Sequence, residues 1–222
     1  MSLKLILFDV DGTLVDSQAA IVGAMQQAFA AVDRVAPERA EILSIVGLSL
    51  PLAMARLVPD ADATVLDQLV EGYKSAYHAA RMQAGADHAP LYPSAADALD
   101  RLNAVPEYLL GVATGKSRRG LNGLIEAHGW TCFVTCQVAD DHPSKPHPSM
   151  ILQAMAETGV AAEDVVMIGD TRFDMDMARA AGVCGIGVSW GYHAAAELGG
   201  DYLIHGFQEL PLMLDQIWKG KT

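Results

Sequence analysis

The sequence predicts an α/β fold, a doubly wound parallel sheet with an all-helical segment inserted after the first strand. Three observations predict it. A single apolar run, Leu3-Lys4-Leu5-Ile6-Leu7, is followed by some seventy Ala-rich residues that no strand-like run interrupts. Beyond Pro90-Leu91-Tyr92-Pro93 short apolar runs alternate with helical stretches. Those runs are continuously apolar, as strands buried on both faces of a parallel sheet are.

Each element has its own signal. The first strand is residues 3–8. Asp16-Ser17 are good N-cap types, and helices are expected over 17–32, 37–46, 50–57 and 63–83, broken by Pro37, Gly47, Pro59 and Gly85. Leu109-Leu110-Gly111-Val112-Ala113 reads as a buried strand ending at Thr114-Gly115, with a helix from Ser117 to about His128. Cys132–Cys136 is a short third strand, and Pro146 stands near the start of a helix reaching about Thr158. Val165–Ile168 is a fourth strand, closed by Gly169-Asp170 and followed by a helix over 172–181. Cys184–Ser189 is a fifth strand, 202–204 a short sixth, and 207–218 the last helix. The domains expected are an α/β core of 1–15 and 86–222 and a helical insert of 16–85.

Bulk composition narrows the function. The chain has 222 residues, 51% hydrophobic and 19% charged, with a net charge of −12. That is a globular composition, and it argues against a general nucleic-acid surface or an anionic-membrane binder, which need basic patches. Three cysteines at Cys132, Cys136 and Cys184 fit buried thiols in a reducing compartment better than zinc or a disulfide framework. The apolar stretch before Asp9 is too short for a signal peptide, and no run approaches a membrane span. The expected location is cytoplasmic.

Chemistry gathers just past the strands. Phe8-Asp9-Val10-Asp11-Gly12-Thr13-Leu14 ends the first strand, and in extended chain Asp9 and Asp11 share a face. Two like charges about 4 Å apart cost roughly 4 kcal/mol at an effective dielectric near 20. The pair therefore implies a cation, or a proton on one carboxylate. Three further strand ends carry polar residues: Thr114-Gly115-Lys116-Ser117, Ser144-Lys145-Pro146-His147-Pro148, and Gly169-Asp170-Thr171-Arg172-Phe173-Asp174. Singly each has a plain reading. Thr114-Gly115 is then a helix cap, Lys145 a solvated loop lysine, and Asp170 and Asp174 complements to a helix dipole. A parallel sheet brings all four ends to one edge, near the switch in strand order where ligands gather.

These four motifs, in this order, resemble the haloacid dehalogenase-type (HAD) phosphohydrolase superfamily, in the form with a helical cap inserted after the first motif. The phosphoglycolate phosphatase-like proteins are the most similar group. The resemblance covers nearly the whole chain and implies that superfamily's doubly wound, Rossmann-like core with a mobile helical cap. It implies an Mg²⁺-dependent phosphatase acting on a small phosphorylated metabolite. Asp9 matches the nucleophile that forms an aspartyl-phosphate. Asp11 matches the general acid that protonates the leaving oxygen and then activates water. Thr114 would hydrogen-bond a phosphoryl oxygen, and Lys145 would neutralise the phosphoryl group and Asp9. Gly12, Thr13, Gly115 and Lys116 complete the expected phosphate site, with Gly12 letting backbone N–H groups approach. Asp9, Asp170 and the backbone carbonyl of Asp11 match the Mg²⁺ ligands. Asp174 would hold metal-bound water or Lys145.

The branch is partly legible. Asp11 opposes the metal-free dehalogenases. Phosphonatases carry Ala there and an early cap lysine, whereas this insert has only Lys74, late in its last helix. Sugar phosphomutases place a histidine soon after the first motif; Ile21 stands in its place. Two positions depart from the family pattern: Ser94 where glycine is common, and Gly115 where phosphoglycolate phosphatases commonly carry asparagine. The Val46-Gly47-Leu48-Ser49-Leu50 turn lies where related caps send a loop toward the site, and favours a small, weakly polar leaving group. Arg56, Lys116, Arg118 and Arg119 are candidates for a second anionic group such as a carboxylate, against the plainer reading of solvated side chains. Trp190-Gly191-Tyr192-His193 follows the fifth strand, either bordering the pocket or packing beneath a loop. A sugar phosphomutase or pyrophosphatase of the same superfamily, or a phosphate-receiving regulatory domain, are the alternatives.

Overall fold

The computed structural model describes residues 2–219. Six parallel strands form one sheet: β1 (Lys4–Phe8), β2 (Tyr108–Thr114), β3 (Phe133–Val138), β4 (Val165–Gly169), β5 (Cys184–Val188) and β6 (Tyr202–Ile204). Their order is β3-β2-β1-β4-β5-β6. The chain builds outward from β1 through β2 to β3, then crosses back to lay β4 on the other side of β1. Leu5 pairs with Leu109 on one side and Val165 on the other. The switch in direction therefore falls at β1, and Asp9 leaves the sheet there.

Both faces of β1 are buried, which explains its unbroken apolar run. Ile6 and Phe8 point into one cluster with Val112, Ile168 and Ile186. The helices α5 (Ala95–Asn103), α6 (Arg118–His128) and α10 (Leu210–Lys219) cover that face through Leu99, Leu121, Leu124 and Leu214. Leu5 and Leu7 point to the opposite side, where α7 (Ser149–Thr158) and α8 (Arg172–Ala181) contribute Met150, Ile151 and Met177. A short α9 (Ala195–Leu198) precedes β6.

Between β1 and β2 the chain is helical: α1 (Gln18–Ala30), α2 (Arg39–Ser44), α3 (Leu50–Leu57) and α4 (Ala63–Ala84). They share their own apolar cluster, including Ile21, Met25, Phe29, Met54 and Leu69, and Phe173 from α8 joins it. Several contacts seat this segment on the sheet edge. Ser49 N–H donates to Ser144 Oγ at 2.8 Å, His193 Nε2 lies 3.1 Å from the Ser44 carbonyl, and the Arg56 guanidinium lies over the Phe173 ring. No helix among the described residues is long and apolar enough to cross a membrane.

The structure adjusts several expected elements. The third strand runs two residues further, to Val138, because Gln137 is buried in it without cost: its amide meets Thr135 and Glu157, and its carbonyl oxygen meets His142. The helix expected from Pro146 begins at Ser149, because Ser144–His147 forms a turn that sends Lys145 inward. The segment expected as one helix over 207–218 is a 3₁₀ turn, Phe207–Glu209, leading into α10. Helix α5 was not expected at all, and it starts at Ser94, whose φ of 64° is left-handed.

Candidate active site

The carboxyl ends of β1, β2 and β3 and the loop before α7 converge beneath the helical segment on a cleft of about 580 Å³. Asp9 follows β1 directly, and its N–H donates to the Ile168 carbonyl at 2.9 Å. Its carboxylate is buried. Lys145 Nζ stands 3.0 Å from Oδ1, and otherwise neither oxygen receives a hydrogen bond. Burial pushes the Asp9 carboxyl up to about 6, against the pull of Lys145 and with Asp174 and Asp11 adding to the rise.

Lys145 is fully buried rather than solvated, with Nζ also 2.6 Å from Asp174 Oδ1. Burial alone lowers an ammonium, yet Asp174 and Asp9 outweigh it and hold Lys145 above the usual lysine range. Asp174 is committed on both oxygens. Oδ2 accepts from the Thr171 N–H and hydroxyl at 3.0 and 2.7 Å, closing a capping box at the start of α8. The expectation that Asp174 holds Lys145 and the plainer one that it favours the helix start both describe what it does.

Asp170 is buried beside Asp9, and burial, with Asp9 and Asp174 nearby, raises its carboxyl well above the usual range. Thr13 Oγ1 donates to its Oδ1 at 3.0 Å, and the Tyr192 N–H donates to its Oδ2 at 2.8 Å. Gly12, at φ 86°, makes room for it: a Cβ there would fall 2.1 Å from Asp170 Oδ2. The Gly12 N–H is spent on the Val15 carbonyl. Gly12 and Thr13 thus sit against Asp170 rather than along the cleft.

Asp11 faces the cleft with each oxygen held. Oδ1 accepts from Ser17 Oγ at 2.5 Å, and Oδ2 lies 2.9 Å from Lys116 Nζ. Lys116 also reaches Tyr77 of α4, donating to its hydroxyl at 3.1 Å. Asp11, Tyr77 and Tyr73 together outweigh burial and hold Lys116 above its ordinary range. Thr114 and Gly115 line the cleft beside it, and the Thr114 hydroxyl oxygen accepts from the Lys116 N–H at 3.2 Å. A Cβ on Gly115 would lie 2.5 Å from the Gly47 carbonyl oxygen, so the Val46–Leu50 turn rests on it. Of the four expected cations, Lys116 and Arg119 line the cleft. Arg118 pairs with exposed Asp141, and Arg56 lies against Phe173.

Ser17 and Tyr77 carry no expectation of a place in the site, and Tyr192 carries one only through the Trp190–His193 stretch, expected either to border the pocket or to pack beneath a loop. Ser17 has the residue type of a helix cap, but its side chain caps nothing and turns to Asp11 instead. Tyr192 lies in a stretch already notable for following a strand on the active edge. Tyr77 carried no signal beyond its place in a helix.

The donor set suits a hard divalent cation. Oxygens of Asp9, Asp170 and Asp174 lie within 4.8 Å of one another. Asp9 Oδ2 is buried without a hydrogen bond or ion pair, and a carboxylate oxygen so placed suits a cation ligand.

The chain is similar to known hydrolases along most of its length. The model of the haloacid dehalogenase-like hydrolases matches residues 6–188. A protein of Dickeya dadantii named "Probable phosphatase IndB" is 36% identical over 199 residues, covering 87% of this chain and 84% of the relative. The phosphoglycolate phosphatase of Chromobacterium violaceum is 32% identical over 218 residues, covering 94% and 95%. A solved haloacid dehalogenase-like hydrolase from Streptococcus pneumoniae superposes with a TM-score of 0.81 at 27% identity, covering 95% of this chain and 98% of its own. With this fold, this order of strand-end motifs and this likeness along most of its length, the chain is an enzyme of the haloacid dehalogenase-like hydrolase family.

Proposed function

We propose that this protein is an Mg²⁺-dependent phosphatase that hydrolyses a small phosphorylated metabolite through an aspartyl-phosphate on Asp9. The observation that carries the reading is Asp9 itself, buried at the switch point and lining the cleft, with Oδ2 unpartnered and a buried ammonium 3.0 Å from Oδ1. An Asp9 oxygen attacks phosphorus and the bond to the leaving oxygen breaks as Asp11 hands that oxygen a proton. Water then attacks the same phosphorus, Asp11 takes its proton, and Asp9 and inorganic phosphate are released. Lys145 offsets charge on the phosphoryl group, and the Thr114 hydroxyl and the backbone at Gly115 and Lys116 hold its oxygens. Asp9, Asp170 and the Asp11 carbonyl would hold Mg²⁺, which supplies positive charge to the transferring group. Asp174 keeps Lys145 in place.

Residues 16–85 act as a cap over a core of 1–15 and 86–222. Ile21, Met25, Leu48 and Leu50 give the cap side of the cleft an apolar wall, while Lys74, Arg81, Lys116 and Arg119 supply cations. The carboxylates of Asp9, Asp11 and Asp140 line the same cleft, so these cations leave it close to balanced in a chain of net charge −12. A compact phosphorylated acid fits it, in keeping with the names of the phosphoglycolate phosphatase relatives. None of the three half-buried cysteines forms a disulfide, in keeping with a reducing compartment.

The test is phosphate release from a panel of phosphoglycolate, hexose phosphates, nucleotides and pyrophosphate, with and without Mg²⁺, with Asp9→Asn as control. Metal-dependent release that the variant lacks is expected. Wild-type hydrolysis by purified Asp9→Asn protein would end the nucleophile assignment. A lasting aspartyl-phosphate with no release would favour the phosphate-receiving alternative.

A further inference from the structure

Tyr192 touches three parts of the site. It lies in the loop after β5, and its ring packs against the apolar cluster of α1–α4. Its N–H donates to Asp170 Oδ2. Its hydroxyl accepts from the Ser17 N–H at 3.1 Å and lies 2.9 Å from Ser17 Oγ. Ser17, fully buried, is the residue whose hydroxyl meets Asp11 Oδ1 at 2.5 Å.

The direction of this chain follows from proton count. A serine hydroxyl has one proton, and in the ionised form of Asp11, the form left once its own proton has gone to the leaving oxygen, Oδ1 can only accept it. Tyr192 is therefore the donor to Ser17 Oγ, and the relay reads Tyr192 O–H to Ser17 O–H to Asp11. A tyrosine phenol keeps its proton at neutral pH, so Tyr192 has one to give.

A carboxyl group turns easily about its last torsion, whose energy profile is broad, yet a proton donor works only within hydrogen-bond reach of the leaving oxygen. Asp11 needs two anchors to be fixed, and it has them: Lys116 on Oδ2 and Ser17 on Oδ1. Lys116 is gripped by the helical segment through Tyr77, whereas Ser17 is gripped through Tyr192 by the sheet edge. We infer that Tyr192 is a positioning residue for proton transfer, orienting Asp11 through Ser17. The inference rests on the proposed role of Asp11 as proton donor.

Tyr192→Phe keeps the ring and the backbone bond to Asp170 and removes only the hydroxyl. The assay compares kcat/KM for 4-nitrophenyl phosphate, whose phenolate leaves without a proton, with kcat/KM for the best alkyl phosphate of the panel, whose alkoxide needs one. This parameter covers only the steps up to the aspartyl-phosphate, so later hydrolysis does not blur it. General acid catalysis is worth about 10²–10⁴, and loss of one of two anchors should remove about tenfold of it. The alkyl ester is expected to slow about tenfold and the aryl ester less than about twofold. Ser17→Ala should show the same pattern, and the double variant should be no worse than the poorer single one. Ser17→Ala carries the test if Tyr192→Phe does not fold. Equal losses on both esters, or no loss on the alkyl ester, overturn the inference alone. A wild-type protein inactive on every ester refutes the phosphatase reading, and the Tyr192 role falls with it.

Discussion

Lys116 and Asp11 form a buried ion pair, Nζ to Oδ2 at 2.9 Å, at the wall where the cleft meets the helical segment. An incoming substrate with a second negative group meets the same ammonium. Lys116→Met should therefore cost most where the ester carries a carboxylate. A charge-assisted hydrogen bond is worth about 1.5–3 kcal/mol, or about 10- to 100-fold in kcat/KM for phosphoglycolate relative to an uncharged alkyl phosphate. An equal loss on both would mean that Lys116 serves Asp11 and not the substrate.

Metal binding and acidity should be linked at Asp9 and Asp170. Burial raises both carboxyls, Asp9 from 3.8 to about 6. Without metal, the folded chain then holds more protons than the unfolded chain between about pH 4 and 6, so stability falls as pH rises through that window. A divalent cation binds the deprotonated groups and reverses the loss. At about 100 times its Kd a ligand adds about 2.7 kcal/mol, which at about 2–4 °C per kcal/mol is about 5–10 °C in Tm. Scanning calorimetry with and without MgCl₂ should show that rise near neutral pH and a smaller one at about pH 5. A larger rise at the lower pH contradicts the assignment of these two carboxylates.

Ser94 holds a left-handed backbone, φ 64°, at the entry to α5, and its side chain makes no capping bond. For an L-residue that conformation costs about 1–2 kcal/mol, and glycine adopts it freely. Ser94→Gly should raise the unfolding free energy by about 1 kcal/mol, read as a higher urea midpoint at unchanged m. No gain, or a loss, would show that the glycine's added freedom in the unfolded chain outweighs the relieved strain.

Much of this molecule can be read from its residues alone. The strands of the sheet's centre declare themselves because burial on both faces leaves no polar position in Leu5–Phe8 or Val165–Gly169. The four motifs are legible because a parallel sheet gathers strand ends whatever their separation in sequence. Helix α5 escaped because two of its four buried residues are Ala95 and Ala98, and alanine signals helix everywhere in this chain without marking a face. The end of β3 escaped because buried Gln137 looks like a loop residue until its three partners are seen. Ser17 and Tyr192 are 175 residues apart, and no local pattern announces a hydrogen bond across that distance. Lys145 shows the same gap differently. Its residue type suggests water, and only the fold places two carboxylates around it.

The placing of β1 between β2 and β4 also sets a timetable. The strand that leads to Asp9 and Asp11 is made well before its neighbours, Tyr108–Thr114 and Val165–Gly169. Helices α1–α4, whose contacts are close in sequence, are synthesised in between and can collapse on one another before either neighbour exists. The sheet, by contrast, closes late and over long loops, which makes it the slow part of folding. Asp9 and Asp11 spend that interval in water, uncrowded and without Lys145 or Asp170. Lys145, Asp170 and Tyr192 are all made after the acidic pair, so a nascent chain that stops short of them carries Asp9 and Asp11 without the groups that surround them.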